Sequence, residues 1–75
     1  MFLTDIKPGS RAKITDTTHV TEMVRRRLLD LGIMEGTVIS IKRILPFGGP
    51  FTLEASGQWI GIRRNEARMI QVESA

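Results

Sequence analysis

The hydrophobic pattern of this chain changes period once, between Gly32 and Thr37, and that change limits the folds open to it. Upstream, Val20, Met23, Val24, Leu28 and Leu31 recur at three- and four-residue steps, which sets them on one stripe of an amphipathic helix over about 20–31. Thr18 or Thr21 can offer the N-cap oxygen, and Glu22 puts negative charge at the positive end of the helix dipole. Gly32 stands where a left-handed residue ends a helix, and Ile33 would fold back on Leu28 as the apolar half of a Schellman stop. Downstream the period is two. Thr37–Leu45 is rich in β-branched residues, and Phe51, Leu53 and Ala55 alternate with polar neighbours. The alternation slips at Lys42-Arg43, which predicts a bulge.

Tight turns separate the strands. Pro46-Phe-Gly-Gly-Pro50 makes one sharp reversal and Ser56-Gly57 another, after which Gln58–Ile62 pairs back as a hairpin. Asn65–Arg68 reads as one helical turn, Met69–Val72 as a closing strand and Lys13–Thr15 as an early one. Several short strands and one inserted helix in 75 residues predict a mainly β fold, a single domain over 1–75. Curling it into a closed or nearly closed barrel removes exposed sheet edges.

Composition then narrows the function. A chain this short buries only about 60% of its unfolded surface, so its core is thin. Cysteine, the usual reinforcement, is absent, which excludes disulfides, thiolate metal sites and a cysteine nucleophile. Ser10, Ser40 and Ser56 have only His19 as a conventional base, and no Gly-rich phosphate loop carries a Lys. The expectation is a protein that is not an enzyme and carries no cofactor. Four aromatics, Phe2, Phe47, Phe51 and Trp59, are too few for stacking platforms, which disfavours nucleic acid as the partner. Met1–Asp5 has no basic leader, and no run approaches the roughly 20 apolar residues of a bilayer span. A cytoplasmic protein without membrane insertion is expected. The net charge of +3 favours acidic partners without choosing among them.

Read together, Leu28-Leu-Asp-Leu-Gly-Ile33, Gly36-Thr37, Pro46-Phe-Gly-Gly-Pro50 and Ile60-Gly-Ile-Arg-Arg-Asn-Glu-Ala67 resemble the FeoA (ferrous iron transport protein A) family, as does the opening Leu3-Thr-Asp-Ile-Lys-Pro-Gly9. The resemblance spans nearly the whole chain. It implies an SH3-like β-barrel with a helix inserted between its first strands. It also implies a cytosolic accessory to ferrous iron transport protein B (FeoB), a permease with a cytosolic GTPase domain. A related domain ends the iron regulators of the diphtheria-toxin-repressor type. Within these 75 residues there is no helix-turn-helix segment, nor room for one, which disfavours that role.

Six residues stand out as partner contacts. In Arg25-Arg26-Arg27, steps of about 100° spread the charge around the helix. Arg25 and Arg26 face outward, whereas Arg27 falls beside the apolar stripe, to snorkel or to pair with a carboxylate. Leu29, between the two outward arginines, reads as a small anchor or as a solvated side chain. Phe47 reads as a loop-tip anchor or as a lid over one barrel end. Arg63 and Arg64 follow a strand at the barrel rim, where Lys42 and Arg43 could extend the positive charge. Trp59 is expected to pack in the core. Asp16, His19 and Glu22 are the only cluster with metal-ligand chemistry. A single imidazole among them favours an incidental role, so no metal is expected.

With the partner that the resemblance implies, these readings give a non-catalytic accessory that would dock on the cytosolic region of FeoB and shift its populations by differential affinity. The competing reading is a small-barrel nucleic-acid or iron-regulator-type interaction module that uses the basic rim.

Overall fold

A computed structural model describes the whole chain, residues 1–75. A 3-10 turn over Leu3–Asp5 leads into β1 (Arg11–Asp16), α1 (Glu22–Asp30), β2 (Val38–Ile44), β3 (Phe51–Ala55), β4 (Gln58–Ile62), α2 (Arg64–Ala67) and β5 (Gln71–Ser74). The five strands form one sheet in the order β4-β3-β2-β1-β5, with every pair antiparallel. The sheet curls into a barrel whose strands send alternate side chains inward. Ala12, Ile14, Ile39, Ile41, Phe51, Leu53, Ile60, Ile62 and Val72 meet there with Leu3, Leu28, Ile33 and Ile70. The outer edge of β5 is covered at its start by the N-terminal segment. Leu3 N–H donates to the Ile70 carbonyl (2.9 Å), Val72 N–H donates to the Met1 carbonyl (2.8 Å), and Phe2 bridges Gln71. Pairing of this kind blunts a strand edge that would otherwise recruit another chain.

The helix is inserted between the first two strands of the barrel, yet the ladder continues across its base. Ile14 N–H donates to the Thr37 carbonyl and Gly36 N–H to the Ile14 carbonyl, both at 2.8 Å. The helix stop takes the expected form. Gly32 lies in the left-handed region (φ 81°), Ile33 N–H donates to the Leu28 carbonyl (2.8 Å) and Gly32 N–H to the Leu29 carbonyl (3.0 Å). Leu28 and Ile33 are both fully buried. Thr21 is the N-cap, its hydroxyl accepting from Val24 N–H at 3.3 Å.

The helix is shorter than 20–31. It starts at Glu22, so Val20 packs from the preceding turn and Met23, in the first turn, is 83% exposed instead of lying on the buried stripe. The last helical turn covers 64–67 and the closing strand 71–74, each displaced from the expected 65–68 and 69–72. Within β2, register shifts between Ile41 and Arg43, so Lys42 is the extra residue of the expected bulge. Trp59 overturns its expectation: it is 66% exposed. The inward positions of β4 go to Ile60 and Ile62, and strict alternation turns Trp59 outward opposite Glu54.

The helix stop carries a test. Leu28→Ala should cost about 3 kcal/mol, because a cavity opens beneath α1. Gly32→Ala should cost about 1 kcal/mol through left-handed strain. Met23→Ala should stay within about 0.5 kcal/mol of the parent. Urea denaturation with unchanged m-values reads all three.

Candidate functional site

The most unusual local geometry is in the β2–β3 connection. Leu45 N–H donates to the Pro50 carbonyl (3.1 Å), and inside that closure Gly49 N–H donates to the Pro46 carbonyl (3.2 Å). The two central residues, Phe47 and Gly48, have φ of 60° and 74°, the signature of a type I′ turn. Glycine or asparagine suits such positions. A phenylalanine there costs about 1 kcal/mol, and its ring is fully exposed. The lid reading therefore fails, since Phe47 covers nothing. Gly49 is required for space, because a Cβ there would lie 2.8 Å from Leu45 Cβ.

Beside this loop lies an open cleft of about 660 Å³, lined by Arg27, Gly48, Pro50, Gly61, Arg63, Arg64, Asn65 and Arg68. Its arginines arrive from α1 and from the α2 turn. Arg27 is held by Glu66, whose carboxylate also accepts from Arg63 N–H at 3.1 Å and so starts α2. Arg64 lies over the Phe51 ring, 5.1 Å from its centroid, and its Nη2 donates to the Leu45 carbonyl at 3.4 Å. Its Nε is buried without a hydrogen-bond partner. No carboxylate pairs with Arg63, Arg64 or Arg68.

The six partner candidates thus separate into two groups. Arg63 and Arg64 line the cleft, and Phe47 adjoins Gly48 on its rim. Arg25, Arg26 and Leu29 occupy other faces of α1: Leu29 is about 200° around the helix from Arg27. Leu29 is 49% exposed, and Arg26 pairs with Glu22 at 3.6 Å. Lys42 does not extend the positive rim, being tied to Glu54 at 3.3 Å. Sequence reasoning passed over Arg68, although its i, i+4 relation to Arg64 on one turn was a usable signal. The pairing of Arg27 with Glu66 spans 39 residues and left no local trace.

A family model described as the FeoA domain matches residues 1–74. The chain belongs to the FeoA family. The FeoA protein from Chlorobium tepidum is 38% identical over 99% of this chain and 70% of that one, with a TM-score of 0.92. The Stenotrophomonas maltophilia FeoA, complexed with zinc and described as a prokaryotic SH3 domain protein, is 22% identical over 97% of this chain and 89% of that one, with a TM-score of 0.78. A manganese-dependent transcriptional repressor contains the same fold at 15% identity and a TM-score of 0.89, all of this chain covering 41% of that one. At these last two identities the likeness is of fold alone. The barrel is accordingly SH3-like, and no helix is long and apolar enough to cross a membrane.

The metal candidates of this FeoA chain do not converge. Glu22 is turned to Arg26, while Asp16 holds Thr18 and His19, the latter at 3.5 Å. No group of three potential ligands forms anywhere. The Thr18 N–H (3.0 Å) and hydroxyl (2.9 Å) both donate to Asp16, and with a smaller contribution from His19 they hold its carboxyl below the usual value of 3.8. A depressed folded-state value stabilises the fold above the unfolded value, and that contribution disappears as pH falls through the folded one. The Asp16 carboxyl, followed by NMR, should titrate below 3.8, and Thr18→Ala should move the midpoint back up. Thr18→Ala removes the hydroxyl but keeps the N–H, so a midpoint it leaves unmoved would assign the shift to the backbone N–H and to His19.

Proposed function

We propose that this FeoA chain is a non-catalytic accessory of ferrous iron uptake in the cytoplasm, docking on the GTPase-bearing region of FeoB through the Phe47 loop. The observation that carries the reading is the fully exposed Phe47 ring on a left-handed backbone. An aromatic that packs against nothing and is retained at a cost in strain suits an anchor for a partner's pocket. Unpaired arginines beside it favour an acidic rim on that partner. FeoA membership supports the transport context. For the S. maltophilia relative a role as a bacterial ferrous iron transport activating factor has been raised, though not established, and it points the same way.

Regulation in this reading needs no chemistry from the barrel. Binding one nucleotide state of the permease more tightly than another shifts the population by that difference in affinity, and by nothing else.

Phe47→Gly separates anchoring from folding. Glycine relieves the left-handed strain, so thermal stability should be equal or higher. Affinity for the isolated FeoB cytosolic domain should fall by about tenfold or more. Leu29→Ala, on another face, should leave affinity unchanged. Calorimetric titration in the GDP and GTP-analogue states checks these outcomes. Full affinity in Phe47→Gly would sink the Phe47 dock.

A further inference from the structure

Charged residues lie all over this chain, but its net charge is concentrated in one place. Of eleven Lys and Arg and eight Asp and Glu, four arginines line the cleft and one carboxylate, Glu66, reaches them. Seven charges of each sign remain for everything else, so the whole formal excess of +3 belongs to one cavity. Outside it, Lys13 pairs with Glu73, Arg26 with Glu22 and Lys42 with Glu54. Inside it, Arg63, Arg64 and Arg68 are left without counter-ions.

We infer that this cleft is an oligophosphate-binding site, taking two or more linked phosphates between Arg63, Arg64 and Arg68. The inference does not need the FeoB dock, which is carried by Phe47, although an acidic rim on that partner would use the same arginines. Three lines converge on it. Guanidinium groups match phosphate oxygens in bidentate fashion and are weakly hydrated, so a cluster of them loses little by desolvation when an anion enters. The charge selects among anions: one carboxylate would leave two of the three positive charges uncompensated, whereas linked phosphates neutralise all three. Arg64 is pre-organised, fixed from below by the Phe51 ring and from the side by the Leu45 carbonyl. Its Nε is buried without a partner while the side chain as a whole is half-buried, so part of this guanidinium is already desolvated, and no carboxylate compensates it. The cleft volume, about 660 Å³, falls within the range of small-molecule sites.

The linked phosphates could belong to a free nucleotide or to a lipid that carries a diphosphate headgroup; the chemistry recognised is the same. Sodium pyrophosphate is the probe, titrated without divalent metal into the isotope-labelled whole chain at fixed ionic strength. Saturable amide shifts confined to 48–50 and 61–68 are expected, together with a rise in Tm. Inorganic phosphate should bind about tenfold more weakly, and Arg68→Gln should weaken pyrophosphate by about tenfold. Arg64→Lys keeps the charge but loses the planar fork, and should weaken it as well. Arg25→Gln/Arg26→Gln removes two positive charges on α1 and should leave binding intact. Displacement of pyrophosphate by GDP assigns the site to nucleotides, and displacement by vesicles that carry a prenyl diphosphate lipid assigns it to lipid. Shifts that never saturate, that spread over Lys7, Arg11 and Arg43, or that fall equally in the α1 double variant would overturn the site, as would no response at all.

Discussion

The turn that stops α1 fixes where the arginine cleft can be. Leu28 and Ile33 bury together across Gly32, and burial of one such aliphatic side chain is worth about 2 kcal/mol, a large share of what a 75-residue barrel has in reserve. With Leu28 fixed inward, Arg27 has one direction left, toward the end of β4, where Glu66 meets it. Glu66 also accepts from Arg63 N–H and so begins α2, and the turn so formed presents Arg64 to the face of Phe51. The cleft is thus assembled from two distant segments by one apolar contact and one shared carboxylate. Neither the Arg27–Glu66 pair nor the Arg63 contact would be worth much on an open surface. Their role is to set direction.

Local rules are broken at one end of the barrel and kept elsewhere. The Ser56-Gly57 turn also has positive φ at both positions, and Ser56 bears a left-handed cost of its own, but it is a small polar residue that leaves no apolar ring in solvent. In the Pro46–Pro50 loop a phenylalanine occupies the equivalent conformation. Beside that loop, Arg64 is half-buried with its Nε unpartnered, and four arginines line one cleft. Strained backbone, an exposed aromatic and uncompensated charge each reduce stability. Their clustering in a molecule with a thin core is the physical ground on which the proposed dock and anion site rest.

What the sequence made legible was local. The Schellman stop, the Lys42 bulge, the Ser56-Gly57 hairpin and the alternation of Phe51, Leu53 and Ala55 rest on period and turn chemistry, and each is present. Met23 and Trp59 were misjudged for one reason: hydrophobicity says what can be buried, while the helix start and the strand phase decide what is. Starting at Glu22 leaves Met23 beyond the barrel edge, and Ile60 and Ile62 take the inward side of β4 ahead of Trp59. The site was half legible. Arg63, Arg64 and Phe47 stand out by position, but Arg27 joins them only through a contact across 39 residues, and no periodicity encodes that.

The bulge at Lys42 ties the two features of this end together. By adding one residue to β2 it reverses the faces of Ile44 and Leu45, and Leu45 then enters the loop half-buried. Its N–H closes the loop on Pro50, and its carbonyl accepts from Arg64. The segment that holds Phe47 outward is therefore the same one that holds Arg64 over Phe51. An anion that drew the Arg64 guanidinium toward the cleft would therefore act on the Leu45 carbonyl, and through it on the turn that presents Phe47. Coupling of this kind would be reciprocal, a partner seated on Phe47 altering the anion's affinity by the same factor. Leu45 is the residue through which it would have to pass, because it is hydrogen-bonded to both Pro50 and Arg64.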